Sequence, residues 1–227
     1  MCGHPMVDRE CVVAGLKSGA SSAWLLPIVH RSSGLIGILR PITYELAGDA
    51  SVLDALYRWR LAHMQAFLTR FTPSLDSTSK YLLSYSLPDS KRVLFLIDDL
   101  TGRHVGHIGL CNITPASIEL DNVVRGESVN IPSFMVSAQK TLLSWAFSQL
   151  DVPLAYLNVL EDNKRAIRSY SKTGFVARTS TPLGREEIEG GHRLVPLSGP
   201  VSGTPAGFLV RMELARESFD EALSTQD

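Results

Sequence analysis

Residues 156–175, YLNVLEDNKRAIRSYSKTGF, constrain this chain more than any other stretch. They complete a nearly all-apolar run, LAYLNVL, of the kind found in strands buried on both faces. Within three residues the pattern turns helical, with Asp162 placed to cap the helix and Gly174 just past its end. A buried strand that feeds directly into a short helix is a building block of α/β architecture. On that helix Asn163, Ala166, Ile167 and Tyr170 fall in one stripe, because offsets of 0, 3, 4 and 7 return to one face. Tyr170 lies about 10 Å along the axis from Asn163. An amide and a phenol thus flank a small residue on a surface that something can lie against. The competing reading is an ordinary buried helix face carrying a core tyrosine.

The rest of the chain supplies matching parts. GILRPITYEL, from Gly37, alternates as a strand does. Asp49 is a good N-cap for a helix whose apolar residues, Leu53, Leu56, Met64, Phe67, Leu68 and Phe71, keep helical spacing until Pro73. VLFLI (residues 93–97), the turn DDLTGRH and VGHIGLCNI read as a hairpin. SIELDNVV (117–124) is a further strand, and SFMVSAQKTLLSWAFSQL (133–150) a long amphipathic helix. Residues 182–207, rich in glycine and proline, read as a loop or loose hairpin, and GFLVRMEL (207–214) as a last strand. The order of elements predicts an α/β fold with a mixed sheet. Residues 1–36 carry no clean period and read as an N-terminal extension, residues 37–215 as the domain, and the acidic residues 216–227 as a frayed tail.

Composition narrows the function. Lys plus Arg number 22 against 23 Asp plus Glu, and no block of like charge occurs, which argues against nucleic acid as a partner held by bulk electrostatics. The longest apolar stretches, such as AWLLPIV (23–29), fall well short of the ~20 residues of a spanning helix, and the N-terminus lacks a basic leader, so no membrane partner and no signal peptide are expected. Three cysteines, Cys2, Cys11 and Cys111, match neither a zinc ribbon nor a redox pair and suit a reducing cytoplasm. GxxxxGK[ST], GxGxxG, GxSxG and HExxH motifs are absent. His104 and His107 lack further ligands, so no metal is expected, and Asp98–Asp99 read as turn formers.

The segment from Asn163 to Phe175 resembles the second conserved block of the GNAT superfamily of acyl-CoA-dependent N-acyltransferases, N-x-x-A-[IR]-x-x-Y-x-[KR]-x-GF. It matches at Asn163, Ala166, Ile167, Tyr170, Lys172, Gly174 and Phe175. LRPIT (39–43) and YRWR (57–60) are similar to the opening of members acting on amino sugars or protein N-termini. The resemblance implies a GNAT-like fold: a central sheet of six to seven strands, helices on both faces, strands four and five splayed. It implies acetyl-CoA as cosubstrate, a small-molecule amine as acceptor, an amino sugar among the candidates, and a homodimer paired through edge strands or the C-terminal hairpin. It places Asn163 at the pantetheine or diphosphate, Ala166 where the cofactor arm passes, and Tyr170 as the acid protonating the departing thiolate. Backbone N–H groups near Val123 and Val124 would polarise the thioester carbonyl. The proton of the attacking ammonium goes to Glu119, to Asp121, or to a water relayed by backbone groups; by period two Glu119 and Asp121 share a face.

One departure matters. The family's pyrophosphate loop, [QR]-x-x-G-x-[GA], aligns with Asn130–Met135, so Ser133 replaces the first glycine and Met135 the second, with Phe134 between them. Glycine lets backbone N–H groups approach phosphate closely. Serine is small enough to substitute; methionine is less easily accommodated. Arg125 offers a cation nearby. Three readings follow: an acetyl-CoA-dependent N-acetyltransferase, a GNAT-like binding module without catalysis, and an O-acyl or longer-chain acyl variant.

Overall fold

The structure, a computed structural model, describes residues 7–19, 24–199 and 203–225; Cys2 lies outside them. Its centre is a single mixed sheet of ten strands. In chain order these are β1 (Leu26–His30), β2 (Gly34–Pro41), β3 (Thr69–Phe71), β4 (Val93–Asp99), β5 (His104–Cys111), β6 (Ile118–Arg125), β7 (Leu154–Leu160), β8 (Val176–Ile188), β9 (Gly191–Pro196) and β10 (Gly207–Ala215). They lie side by side as β1-β2-β4-β5-β6-β7-β10-β8-β9-β3. Every neighbouring pair is antiparallel except β6 and β7. No described helix is long and apolar enough to cross a membrane.

Helices cover both faces. The helices are α1 (Arg9–Ser18), α2 (Ala50–Ala62), α3 (Leu75–Lys80), α4 (Phe134–Gln149), α5 (Lys164–Thr173) and α6 (Arg216–Ser224). One core joins Val13 and Leu16 of α1, Leu142, Leu143 and Phe147 of α4, Tyr170 of α5 and Phe219 of α6 to one sheet face, through Phe95, Ile97, Ile108 and Leu120. The second core packs Val52, Leu56 and Trp59 of α2 and Leu82 against Leu94, Leu96 and Val124 on the other face. Leu94 and Leu96 point opposite to Phe95 and Ile97, as a strand covered on both faces requires, and β4 is buried along nearly its whole length.

Four expectations change. The sheet has ten strands instead of six to seven, because β1, β3 and β9 extend it at its ends and β8 and β9 form a long hairpin over residues 176–196, in place of the loop or loose hairpin expected from 182. The helix read as far as Phe71 stops at His63, where φ of −112° leaves the helical range; a single turn follows, and Thr69–Phe71 pair with Arg193–Gly191 of β9. Apolar spacing alone could not reveal a partner 120 residues away. The acidic tail is helical, anchored by Phe219 against Phe147 at 5.3 Å between ring centroids. Asn163, not Asp162, is the N-cap of α5: its Oδ1 accepts from the Ala166 N–H at 3.1 Å. Residues before Gly37 supply α1 and the edge strand β1, and the Lys17 ammonium donates to the carbonyls of Ser86, Leu87 and Asp89.

Candidate active site

Two irregularities open the sheet at one place. The parallel pair β6–β7 holds only at Ile118/Ala155 and Glu119/Tyr156; beyond these the strands part. β6 is also bulged: Asp121 faces Gly109 and Val124 faces His107, so Asn122 and Val123 together oppose Ile108. Asn122 has φ of +52°, a left-handed conformation that asparagine tolerates. The bulge puts Asp121 and Val124 on the same face three residues apart and aims the intervening backbone into the gap. His107, fully buried and stacked on Trp59 at 6.0 Å, lies against the Asn122 backbone from below. Burial lowers its pKa to about 4, and its Nδ1 has no hydrogen-bond partner.

The gap is a cavity of about 450 Å³. Residues 120–125 of β6 form one wall and Asn158 and Val159 of β7 the other. Asn163, Ala166 and Tyr170 of α5 and Ser133, Phe134 and Met135 at the start of α4 close one end; His63, Ala66 and Phe67, after α2, close the other. The residues expected to meet the cofactor, Val123, Val124, Arg125, Ser133, Phe134, Met135, Asn163, Ala166 and Tyr170, therefore all line a single cavity.

The two carboxylates part company. Asp121 and Glu119 leave the same face of β6, yet only Asp121 lines the cavity, where Arg92 Nη1 donates to it at 2.7 Å and Asn122 Nδ2 at 2.8 Å. Glu119 instead accepts from Asn112 Nδ2 at 2.6 Å and from Asn158 Nδ2 at 2.8 Å. Tyr170 is 9% exposed. Burial, and secondarily the charge of Asp121, push its pKa above the ordinary tyrosine value, so the phenol stays protonated at neutral pH.

The α4 end fits an anion. Ser133 has φ of +56°, the left-handed conformation in which glycine is at ease. No side chain caps α4, so its first-turn N–H groups are open at the positive end of the helix dipole. Among the described residues the cavity is lined by four cations, Arg125, Arg165, Arg168 and Lys172, and by one acid, Asp121. Arg165 and Arg168 were not anticipated. Their signal was present in the spacing of NKRAIRSYSK, but an exposed arginine on a helix usually has no ligand. Met135 sits in the first turn of α4, half-buried against the core, and not in the loop before it. Pantetheine diphosphate chemistry thus finds cations, open N–H groups and a glycine-like backbone, and these residues suit coenzyme A. Among the described residues no group of three or more His, Cys, Asp and Glu could hold a metal ion.

A sheet split between two parallel strands, with a bulge on one and a capped helix after the other, defines an acyl-CoA-dependent transferase fold. The chain belongs to the GNAT acetyltransferase family: the family model described as "Acetyltransferase (GNAT) domain" matches residues 38–176, more than half of its length. Enzymes of this family are acyltransferases with acetyl-CoA as cosubstrate. No curated protein matches the sequence. Among solved structures, a probable acetyltransferase of the GNAT family from Chromobacterium violaceum is similar with a TM-score of 0.62 at 14% identity, covering 89% of this chain and 96% of that one. Spermidine N-acetyltransferase from Vibrio cholerae, in complex with CoA and spermine, gives a TM-score of 0.55 at 17% identity, covering 80% and 96%.

Proposed function

We propose that this protein transfers the acetyl group of acetyl-CoA to the primary amine of a small molecule by direct attack. The observation that carries this reading is the cavity in the split between β6 and β7, with Tyr170 on one wall and the bulged backbone of β6 on another. Acetyl-CoA supplies an activated thioester. Asn163, Ser133, Arg125 and the first turn of α4 bind and orient it, and Phe134, Met135 and Ala166 shape its channel. Backbone N–H groups near Val123 and Val124 stabilise charge on the carbonyl oxygen. Tyr170, protonated, delivers a proton towards the leaving sulfur. Asp121, on the cavity wall, takes the amine's proton directly or through a water, a role for which Glu119 lies in the wrong place.

Support for an amine acceptor comes from family membership and from neighbours whose names specify polyamine acetylation; at their identity the likeness carries the fold alone. An amino sugar, free or nucleotide-linked, is the first acceptor to test, on family analogy. The same reading includes a homodimer. The decisive experiment incubates the purified protein with acetyl-CoA and a panel of amines and follows release of free thiol. Turnover of any amine establishes the reading. Tight acetyl-CoA binding in calorimetry without turnover of any amine or alcohol would establish a binding module instead, and turnover only of alcohols or of longer acyl thioesters the third reading.

A further inference from the structure

The bulge of β6 is held from behind by two side chains that do not reach the cavity. Asp121, Asn122, Val123 and Val124 line it; Tyr81 and His107 do not. Tyr81 is nonetheless bonded to the bulge. Asn122 Nδ2 donates to its phenolic oxygen at 3.2 Å and to Asp121 Oδ2 at 2.8 Å, and Arg92 Nη1 fixes that carboxylate at 2.7 Å. The amide thus has one acceptor for each of its two hydrogens, in a residue whose φ of +52° lies outside the strand range.

The mount of Tyr81 is firm. It opens a π-helical stretch, Tyr81–Ser86, that continues α3, an irregularity common at functional sites. The carbonyls of Ser86 and Leu87, where that stretch ends, accept from the buried Lys17 ammonium at 3.2 and 3.0 Å. Burial, and then the charge of Asp121, push the phenol's pKa up to about 12, so Tyr81 faces Asn122 as a neutral group and is no base. From the same sheet face, the one α2 covers, the His107 ring hydrogen-bonds the Asn122 backbone. That contact favours the protonated ring, so its acceptor is the Asn122 carbonyl. In a trans peptide the next N–H points opposite to the carbonyl. A carbonyl turned towards His107 therefore turns the Val123 N–H away from it, towards the gap that Val123 lines.

We propose that Tyr81 is a positioning residue of acetyl transfer: through the Asn122 amide, and with His107 holding the Asn122 carbonyl, it fixes the peptide between Asn122 and Val123 so that its N–H meets the thioester oxygen of acetyl-CoA. This rests on the acetyl-transfer reading above. Infrared difference spectra of bound acetyl-CoA, labelled with carbon-13 at the thioester carbonyl, read that donor directly and need no amine. A hydrogen bond to the oxygen lowers the stretching frequency, so the wild type should show a lowered band. The lowering should shrink in Tyr81→Phe and in Asn122→Gly, which keeps the left-handed backbone and loses the amide. With an amine that is turned over, kcat in Tyr81→Phe should fall about 10-fold, at unchanged acetyl-CoA affinity and an unchanged pH profile of kcat/KM. An undiminished lowering in both variants, or none in the wild type, overturns the proposal and leaves amine acetylation standing. A shifted pH profile would mean that Tyr81 acts on Asp121 instead, and an earlier melt with band and kcat intact would make it a packing residue; either result also overturns it. A lowering that depends on Tyr81 without turnover of any amine supports the positioning and defeats the amine reading. Calorimetric acetyl-CoA affinity reports that the variants are folded.

Discussion

Tyr170→Phe deletes one hydroxyl and leaves the ring in place. That ring stands edge-on to Phe175, 6.2 Å between centroids, within the core that α4 and α5 share with the sheet. Among the described residues nothing hydrogen-bonds the hydroxyl, and it is not a sealed, unpartnered atom, so it opens on the cavity. Removing it breaks no bond, and stability should change by less than about 0.5 kcal/mol. At this chain length that is roughly 1–2 °C in Tm. Catalysis should respond differently. The raised pKa keeps the proton on the phenol, making it a donor throughout the assay range. A thiol of pKa near 8.5 leaves with only partial help, so the loss belongs at the low end of general-acid effects, about 100-fold, or roughly 2.7 kcal/mol. It should fall on kcat, as expected for an interaction made only in the transition state. Free-thiol release under saturating acetyl-CoA measures the rate, calorimetry the acetyl-CoA affinity, and a thermal melt the stability. Full activity in the variant would remove Tyr170 as the acid. A large drop in Tm with little change in rate would make it a core residue and nothing more.

Other perturbations test the rest of the site and its support. Ser133 pays about 1–2 kcal/mol for its left-handed backbone, so Ser133→Gly should bind acetyl-CoA at least as tightly, whereas Ser133→Leu should abolish binding; unchanged affinity in the leucine variant would mean the phosphates sit elsewhere. His107 has a folded pKa of about 4 against an ordinary 6.5, so the unfolded chain binds its proton more tightly. Stability present above about pH 6.5 is then lost as pH falls towards 4, by about 3 kcal/mol in all. Urea midpoints at pH 7.5 and 4.5 should converge in His107→Gln relative to wild type, and an equal acid loss in both proteins would refute the linkage. Gly126 abuts Trp59, and an added Cβ would sit inside the indole; Gly126→Ala should cost about 2 kcal/mol or more, and an unchanged Tm would contradict the packing. Light scattering at micromolar concentration should return the mass of two chains, and a mass of one chain ends the dimer proposal.

Much of this molecule is written locally. The strand β7 and the helix after it needed no tertiary information, because an apolar run and a helical period are properties of consecutive residues. Burial on both faces, however, is not met, since Leu154 and Tyr156 are half-buried and Asn158 is exposed, and the cap falls on Asn163. Asp49 at the start of α2 is likewise local, its Oδ1 accepting from Ser51 and Val52. The stripe Asn163, Ala166, Tyr170 on the cavity wall follows from helical period alone.

What needed the folded chain is every feature made by residues far apart. Period two predicted that Glu119 and Asp121 share a face, and they do, but it could not show that Asn158 and Asn112 draw one aside while Arg92 holds the other at the cavity. The bulge at Asn122 is a mismatch of register between β5 and β6, invisible in either strand read singly. β3 is three residues long and exists only because β9 pairs with it. The backbone of Ser133 takes up the conformation that a glycine would have announced, a choice imposed by the loop's two ends and not by serine itself. Hydrophobic period and capping act within a few residues, so the sequence alone determined the central strands, the start of α2, the helices α4 and α5, and the face that α5 turns inward. Strand register, splay and the pairing of charges depend on which distant groups are brought within a few ångströms, so only the tertiary structure decided where the cavity opens and which carboxylate and which arginine stand beside it.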